Sequence, residues 1–225
     1  MNHNRTSRRR IVASTAFVAT LTAAAVLIPV HQADSATRPV TAGTGWKLQP
    51  HITHIDTRPW VIAFHDVRSR AALTPYLRKT AAELTYRMGV TVTVTTRIVP
   101  TSYSKCGPSH TISVRYMSKP NPAYPNHSFG GACALSGAAY SGYMYINSDL
   151  WAAGRGYSEA QRMNTIWHEA AHAVGLAHPN TCPQDKTGRK PLMCDVNGLK
   201  TLVSRRYSTW EVKAFANLRA NRNRI

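Results

Sequence analysis

Hydrophobic residues recur with two different periods along the middle of the chain. Residues 60–64 form a short, almost continuous apolar run, which is typical of a buried β-strand. Apolar side chains are then spaced three or four residues apart over 74–88, which predicts a helix ended by Gly89. Branched apolar residues and threonines alternate over 90–98 and predict a second strand. A strand, a helix and a strand of these lengths indicate a right-handed crossover between parallel strands.

Shorter elements follow in the second half of the chain. Alternation over 111–116 predicts a third strand, and the prolines and glycines of 119–131 predict a loop. Two more strands, at 132–139 and 143–147, are predicted on either side of a turn at 141–142.

Two helices are predicted toward the C-terminus. Ser158 is a suitable N-cap for a helix that contains the apolar run after it, and Ser208 is a suitable N-cap for a final amphipathic helix. Strands followed by helices in this order indicate an α+β fold with an α/β-like first half.

The N-terminus has the pattern of an export signal. Residues 1–10 carry four arginines, residues 11–30 are almost wholly apolar or small, and small residues close the run. This pattern predicts a signal peptide over 1–36. An uncleaved membrane anchor is the alternative, because about 20 apolar residues can span a bilayer. The arginine pair leaves both Sec and twin-arginine export open.

The rest of the chain has no second apolar run of comparable length, so we expect it to be soluble outside the cell. Residues 37–58 contain Thr, Pro and Gly without a sustained period, which predicts an extended lead or a short pro-segment before a domain at 59–225. This lead has no cysteine that could block a metal as a thiol latch.

Four cysteines, an even number in an exported chain, predict two disulfides. Three pairings are available. Pairing of Cys106 with Cys133 and of Cys182 with Cys194 is favoured, because each pair then brackets one loop. Zinc bound by cysteines is the competing interpretation, but no C-x-x-C spacing supports it.

The charge is strongly positive. Lysine and arginine total 28 against 10 aspartates and glutamates; residues 1–36 hold four and one of these, which leaves 24 against 9, or about +15. Such a surface attracts polyanions, for example anionic cell-wall polymers, in a manner that salt screens. A solvated basic surface is the alternative. No basic run interleaved with aromatic residues indicates a specific nucleic-acid groove.

The clearest chemical pattern is H-E-x-x-H-x-x-G-x-x-H, which runs from His168 to His178. On a helix, His168 and His172 lie one turn apart on the same face and can bind one metal ion. His178 reaches that ion only if the helix ends first, which Gly175 permits because glycine adopts the left-handed conformation at little cost. Three histidines with one open position are typical of a catalytic zinc, and Glu169 lies beside them. A surface helix turn is the alternative for the shorter H-E-x-x-H alone.

This stretch resembles the zinc-binding signature of the metzincin metallopeptidases, including matrixin-like and snapalysin-like small secreted bacterial proteases. The resemblance implies that His168, His172 and His178 bind one catalytic zinc. It also implies that Glu169 is the general base toward the attacking water and that Gly175 forms the bend. The fold it implies has a twisted, mixed five-stranded sheet, two long helices, an active-site cleft and a small C-terminal lobe.

The resemblance carries three further expectations. Met193, 15 residues after the last histidine, should form a methionine turn beneath the metal. Asp195 stands where astacins and serralysins have a tyrosine, which leaves a catalytic tyrosine open, with Tyr207 as another candidate. An edge strand that pairs with the substrate backbone is expected at Ala134, Leu135, Ser136, Gly137 and Ala138.

These patterns predict a monomeric, secreted zinc endopeptidase that acts on proteins or peptides. Two alternatives are a non-catalytic, zinc-stabilised secreted binding protein and a zinc hydrolase of cell-wall amides. The few acidic residues form no recognisable calcium loop, so a calcium site is neither assigned nor excluded.

Overall fold

The computed structural model describes residues 38–102, 106–151, 157–194 and 207–224. The predicted signal peptide at 1–36 lies outside them. The strands are β1 (Ala42–Gly43), β2 (Trp46–Leu48), β3 (His54–Ile55), β4 (Trp60–Phe64), β5 (Val92–Ile98), β6 (Thr111–Met117), β7 (Phe129–Leu135), β8 (Ala138–Asn147) and β9 (Leu176–Ala177). The helices are α1 (Val67–Met88), α2 (Ser148–Trp151), α3 (Glu159–Ala173) and α4 (Thr209–Ala220), with 3-10 turns at Leu192–Cys194 and Asn221–Arg224. An α+β fold is thereby confirmed.

The main sheet is mostly parallel. Its strand order is β3-β8-β6-β4-β5, and β7 pairs with β8 as an antiparallel strand. A crossover connection between parallel strands is confirmed, because β4 and β5 are parallel neighbours joined by α1. The expectation of five strands was wrong for the described residues, which form six, since β3 adds beside the start of β8.

Helix α1 begins seven residues before the predicted start at 74. The Asp66 carboxylate accepts a hydrogen bond from the Ser69 backbone N–H (2.6 Å) and caps the helix there. The first turns carry Arg68 and Arg70, so the apolar spacing becomes visible only later. Gly89 ends the helix as predicted, in the left-handed conformation (φ 63°).

The hairpin between β7 and β8 turns at a different place from the predicted one. Ser136 and Gly137 form the turn, with φ of 49° and 81°, whereas residues 141–142 lie inside β8. Positive φ at both central residues suits the twist of a two-residue hairpin. Gly142 lies inside β8 next to the end of α3, where a Cβ would overlap the Ala173 backbone, so this strand position requires a glycine.

The predicted boundaries of two neighbouring segments change with this turn. The loop predicted at 119–131 ends before Phe129, where β7 begins, and the strand predicted at 132–139 is divided by the turn. Of the predicted edge strand at 134–138, only Ala134 and Leu135 belong to β7, and Ala138 already belongs to β8. The antiparallel edge strand is therefore β7.

The segment predicted as an extended lead is built into the domain. Strand β2 pairs antiparallel with β9, and four side chains between residues 46 and 55 are buried in the common core: Trp46, Leu48, Ile52 and Ile55. Asn221, itself fully buried, binds this segment to the C-terminal end through hydrogen bonds with Val40 and the Thr53 carbonyl. Residues 38–58 thus contribute to the core of the domain, although the spacing of their apolar side chains has no period.

Both predicted disulfides are present. Cys106 pairs with Cys133 and Cys182 pairs with Cys194, with Cα atoms 5.9 and 5.6 Å apart. Ser208 caps α4 as predicted. No helix among the described residues is long and apolar enough to cross a membrane.

Candidate metal centre

Helix α3 carries the first two histidines of the motif. It begins with a capping box, in which Ser158 and Gln161 satisfy each other's backbone N–H groups. It ends at Ala173, after which Gly175 has a φ of 114° and turns the chain. The bend predicted at Gly175 is therefore in the structure, and it brings His178 back toward the helix.

The three histidines converge at their Nε2 atoms. The distances between Nε2 of His168, His172 and His178 are all 3.1 Å. Zinc–nitrogen bonds of about 2.1 Å place the ligand nitrogens of a tetrahedral site about 3.4 Å apart, so the triangle has the size that a zinc ion requires. Among the described residues, these three form the one cluster of His, Cys, Asp or Glu that could hold a metal ion.

Backbone carbonyls fix the tautomer of two of these rings. Nδ1 of His168 lies 2.9 Å from the Leu192 carbonyl oxygen, and Nδ1 of His172 lies 2.7 Å from that of Leu176. A carbonyl oxygen only accepts, so each Nδ1 carries the proton and each Nε2 presents its lone pair to the centre of the triangle.

The electrostatics of the site also favour metal binding. Burial, with the neighbouring His168 and His178, lowers the pKa of His172 well below its ordinary value. The imidazole is therefore neutral, which is the form that binds a metal.

Glu169 lies on the same helix, next to the first ligand. Its side chain is 5% exposed, and its Oε2 atom is buried without a hydrogen-bond partner among the described residues. Burial raises the pKa of Glu169 to about 8. A cation at the three histidines would oppose that shift, because an opposite charge nearby favours the carboxylate. An uncompensated buried carboxyl beside three converging imidazoles is typical of a functional site.

Strand β7 lies directly on this part of α3. A Cβ at Gly130 would overlap the Glu169 carbonyl oxygen and lie 3.2 Å from the His172 Cβ. Only glycine lets the strand backbone approach so closely. The antiparallel edge strand β7 thus runs next to the turn of α3 that contains Glu169 and His172.

The segment that contains Met193 is linked to the first histidine of the cluster through the residue before it. Met193 is 1% exposed and follows Leu192, whose carbonyl orients His168. Its N–H donates to Glu211 (3.1 Å), a fully buried carboxyl whose pKa burial raises. The disulfide to Cys194 ties the same turn to the loop after His178.

Of the two positions considered for a catalytic tyrosine, only Tyr207 lies in the described part of the chain. The Tyr207 hydroxyl donates to the Trp167 carbonyl (2.8 Å), and burial raises the pKa of Tyr207 well above its ordinary value. This hydroxyl is therefore bonded to the α3 backbone. Asp195 lies outside the described residues.

Two residues that support the site were missed by sequence reasoning. Glu211 stands three residues after Ser208, a capping-box spacing that predicts its bond to the cap but not its bond to Met193. Gln49 donates to the carbonyls of His172 and Leu176. No local pattern indicates this contact, because it joins residues more than 120 positions apart.

The sequence matches no protein-family model, and a search of curated proteins finds no significant match.

Proposed function

We propose that this protein is a secreted zinc-dependent endopeptidase of the metzincin type. The observation that carries the proposal is the triangle of three Nε2 atoms, 3.1 Å apart, with a buried and unpartnered Glu169 carboxyl oxygen on the same helix. His168, His172 and His178 are the proposed zinc ligands.

A catalytic role for the ion follows from the number of ligands. Structural zinc sites are normally closed by four protein ligands, often including cysteine. The described part of the chain brings three histidines together without a fourth ligand, and all four cysteines are in disulfides. This arrangement favours an enzyme over the alternative of a zinc-stabilised binding protein.

The residues of the site have distinct tasks in peptide hydrolysis. When bound, zinc polarises the scissile carbonyl and makes a water molecule acidic near neutral pH. Glu169, whose side chain is buried beside the histidines, takes the proton of the attacking water and delivers it to the leaving amine. The carbonyls of Leu192 and Leu176 keep the rings of His168 and His172 oriented throughout.

A polypeptide is the substrate class that the site suits best. Strand β7 is an antiparallel edge strand that runs past Glu169 and His172, and such an edge can pair with an extended peptide backbone. A cell-wall amide is the second candidate, because the chain has 18 more basic than acidic residues and attracts anionic polymers. The edge strand favours protein over wall polymer.

Secretion is part of the proposal. Two disulfides favour folding in an oxidising compartment, and the pattern of residues 1–36 predicts an export signal. The proposed enzyme acts as a monomer outside the cell.

The test is hydrolysis of denatured protein and of purified wall polymer, each with and without a zinc chelator. We expect the protein substrate to be cleaved, the chelator to abolish cleavage, and zinc to restore it. Glu169→Ala should keep one zinc per chain and lose turnover, because only the base is removed. Glu159→Ala, an exposed glutamate at the start of the same helix, is the matched control and should remain active. Near-normal turnover by Glu169→Ala would contradict the mechanism. Cleavage of wall polymer alone would contradict a polypeptide substrate and favour a cell-wall amide.

A further inference from the structure

Gln49 lies far from the metal motif in sequence but uses its whole side-chain amide on the backbone around the metal centre. Its Nε2 donates to the carbonyl oxygens of His172 (2.7 Å) and Leu176 (3.0 Å). Its Oε1 accepts from the N–H of Ala132 in the edge strand β7 (3.2 Å). Both N–H donors and one acceptor position of the Gln49 amide are thus occupied. This one side chain joins the end of α3, the loop between His172 and His178, and β7.

One of these carbonyls also orients a proposed zinc ligand. The Leu176 oxygen accepts from Nδ1 of His172 as well as from Nε2 of Gln49. The position of that oxygen therefore sets the orientation of the His172 ring, and Gln49 holds the oxygen in place. A partner of a ligating histidine normally tunes metal affinity, and here the partner is itself held by a third group.

The backbone near Gln49 strengthens the same connection. The Gln49 N–H donates to the Gly175 carbonyl (2.8 Å), and β2 pairs with β9 in the register Lys47 opposite Ala177 and Leu48 opposite Leu176. Part of the loop between His172 and His178 is thus strand β9, and its neighbour in the sheet is β2 of the N-terminal segment.

We propose that Gln49 is a positioning residue of the metal centre, which holds the loop between His172 and His178 in its metal-binding conformation and aligns it with the edge strand. This inference rests on the proposed zinc site. It also assigns a role to residues 38–58, which the sequence predicts as an extended lead or a short pro-segment. Removal of residues 37–58 on maturation would take Gln49 out of the site, so the proposal predicts that the active enzyme keeps this segment.

The test compares zinc affinity in Gln49→Met with that of the wild type. Methionine fills a similar volume but leaves the carbonyls of His172 and Leu176 without this donor. We expect zinc affinity, measured by competition with a chromogenic chelator, to fall 10- to 100-fold, as is typical for loss of an outer partner of a metal ligand. The visible spectrum of the cobalt-substituted protein should also change, because the orientation of His172 changes. Gln184→Met, at an exposed glutamine, is the matched control and should leave both unchanged.

A second variant keeps the test decisive if methionine weakens the fold. Gln49→Glu retains the length and the acceptor for the Ala132 N–H, but a carboxyl group donates at most one hydrogen bond, and only when protonated, where the amide donates two. The same loss of zinc affinity is expected, and the thermal unfolding of each zinc-free variant shows whether it is folded.

The outcomes separate the two proposals. Folded Gln49 variants with zinc affinity and cobalt spectra equal to the wild type overturn the role of Gln49 and leave the zinc site intact. Failure of both variants to fold assigns Gln49 to the fold alone and also overturns the proposal. A wild-type protein that binds no zinc contradicts the proposed function itself.

Discussion

The close contact between the edge strand β7 and helix α3 makes Gly130→Ala the most informative packing variant. The added methyl group would overlap the Glu169 carbonyl oxygen and lie 3.1 Å from the carbonyl carbon and 3.2 Å from the His172 Cβ. The nearest obstacles are backbone atoms of α3, which cannot rotate away. Strand and helix must therefore separate where the proposed base and second ligand are carried.

The magnitude follows from two opposing terms. Overpacking of a well-packed interior costs about 1–3 kcal/mol, and a clash with backbone belongs at the upper end. Replacing a strand glycine by alanine returns about 0.5–1 kcal/mol of conformational entropy. We expect a net loss of about 2 kcal/mol in the free energy of unfolding. For a domain of this size, that lowers the melting temperature by about 4–8 °C.

The assay is urea unfolding of the zinc-free protein, followed by measurement of zinc affinity by chelator competition. Gly131→Ala is the control, because its methyl group meets side-chain atoms of Tyr143 rather than the backbone of α3. We expect this control to lose less than about 1 kcal/mol and to keep its zinc affinity. A Gly130→Ala variant as stable as Gly131→Ala would refute the close approach of β7 to α3.

Two further predictions concern the disulfide between Cys182 and Cys194 and the carboxylate of Asp56. Replacing both Cys182 and Cys194 by serine opens a loop of sequence separation 12, which should cost about 3 kcal/mol in urea unfolding. It should also weaken zinc affinity, because the disulfide ties the loop after His178 to the turn whose Leu192 carbonyl orients His168; unchanged affinity would contradict this connection. The Arg58 side chain holds the pKa of Asp56 well below its ordinary value, so this carboxylate contributes stability above about pH 4 that is lost as the pH falls through its folded pKa. The free energy of unfolding of Asp56→Asn should therefore fall less steeply than that of the wild type below pH 4, and equal slopes in acid urea titrations would refute the assignment.

Local patterns were sufficient wherever neighbours in sequence determine the structure. The apolar spacing before Gly89 predicted the end of α1, and the spacing of the cysteines predicted both disulfides. The convergence of the histidines was also predictable, because a helix turn and a glycine bend act within eleven residues.

Contacts between distant segments were not predictable from the same patterns. Two Ser-Gly pairs, at 136–137 and 141–142, have equal turn propensity, and packing against the end of α3 decides which of them lies in a strand. Gln49 has no recognisable motif around it, and its role depends on where β2 meets β9. Tertiary contacts, rather than propensity, determine both features.

The most direct test of the proposed zinc centre is the metal content of His178→Ala. His178 is exposed, so its loss removes a ligand with little change in packing. His51→Asn, at an exposed histidine whose left-handed backbone asparagine tolerates, is the control. Elemental analysis after dialysis should find one zinc per chain in the wild type and the control and almost none in His178→Ala. One zinc per chain in His178→Ala, or none in the wild type, would contradict a zinc centre formed by the three histidines.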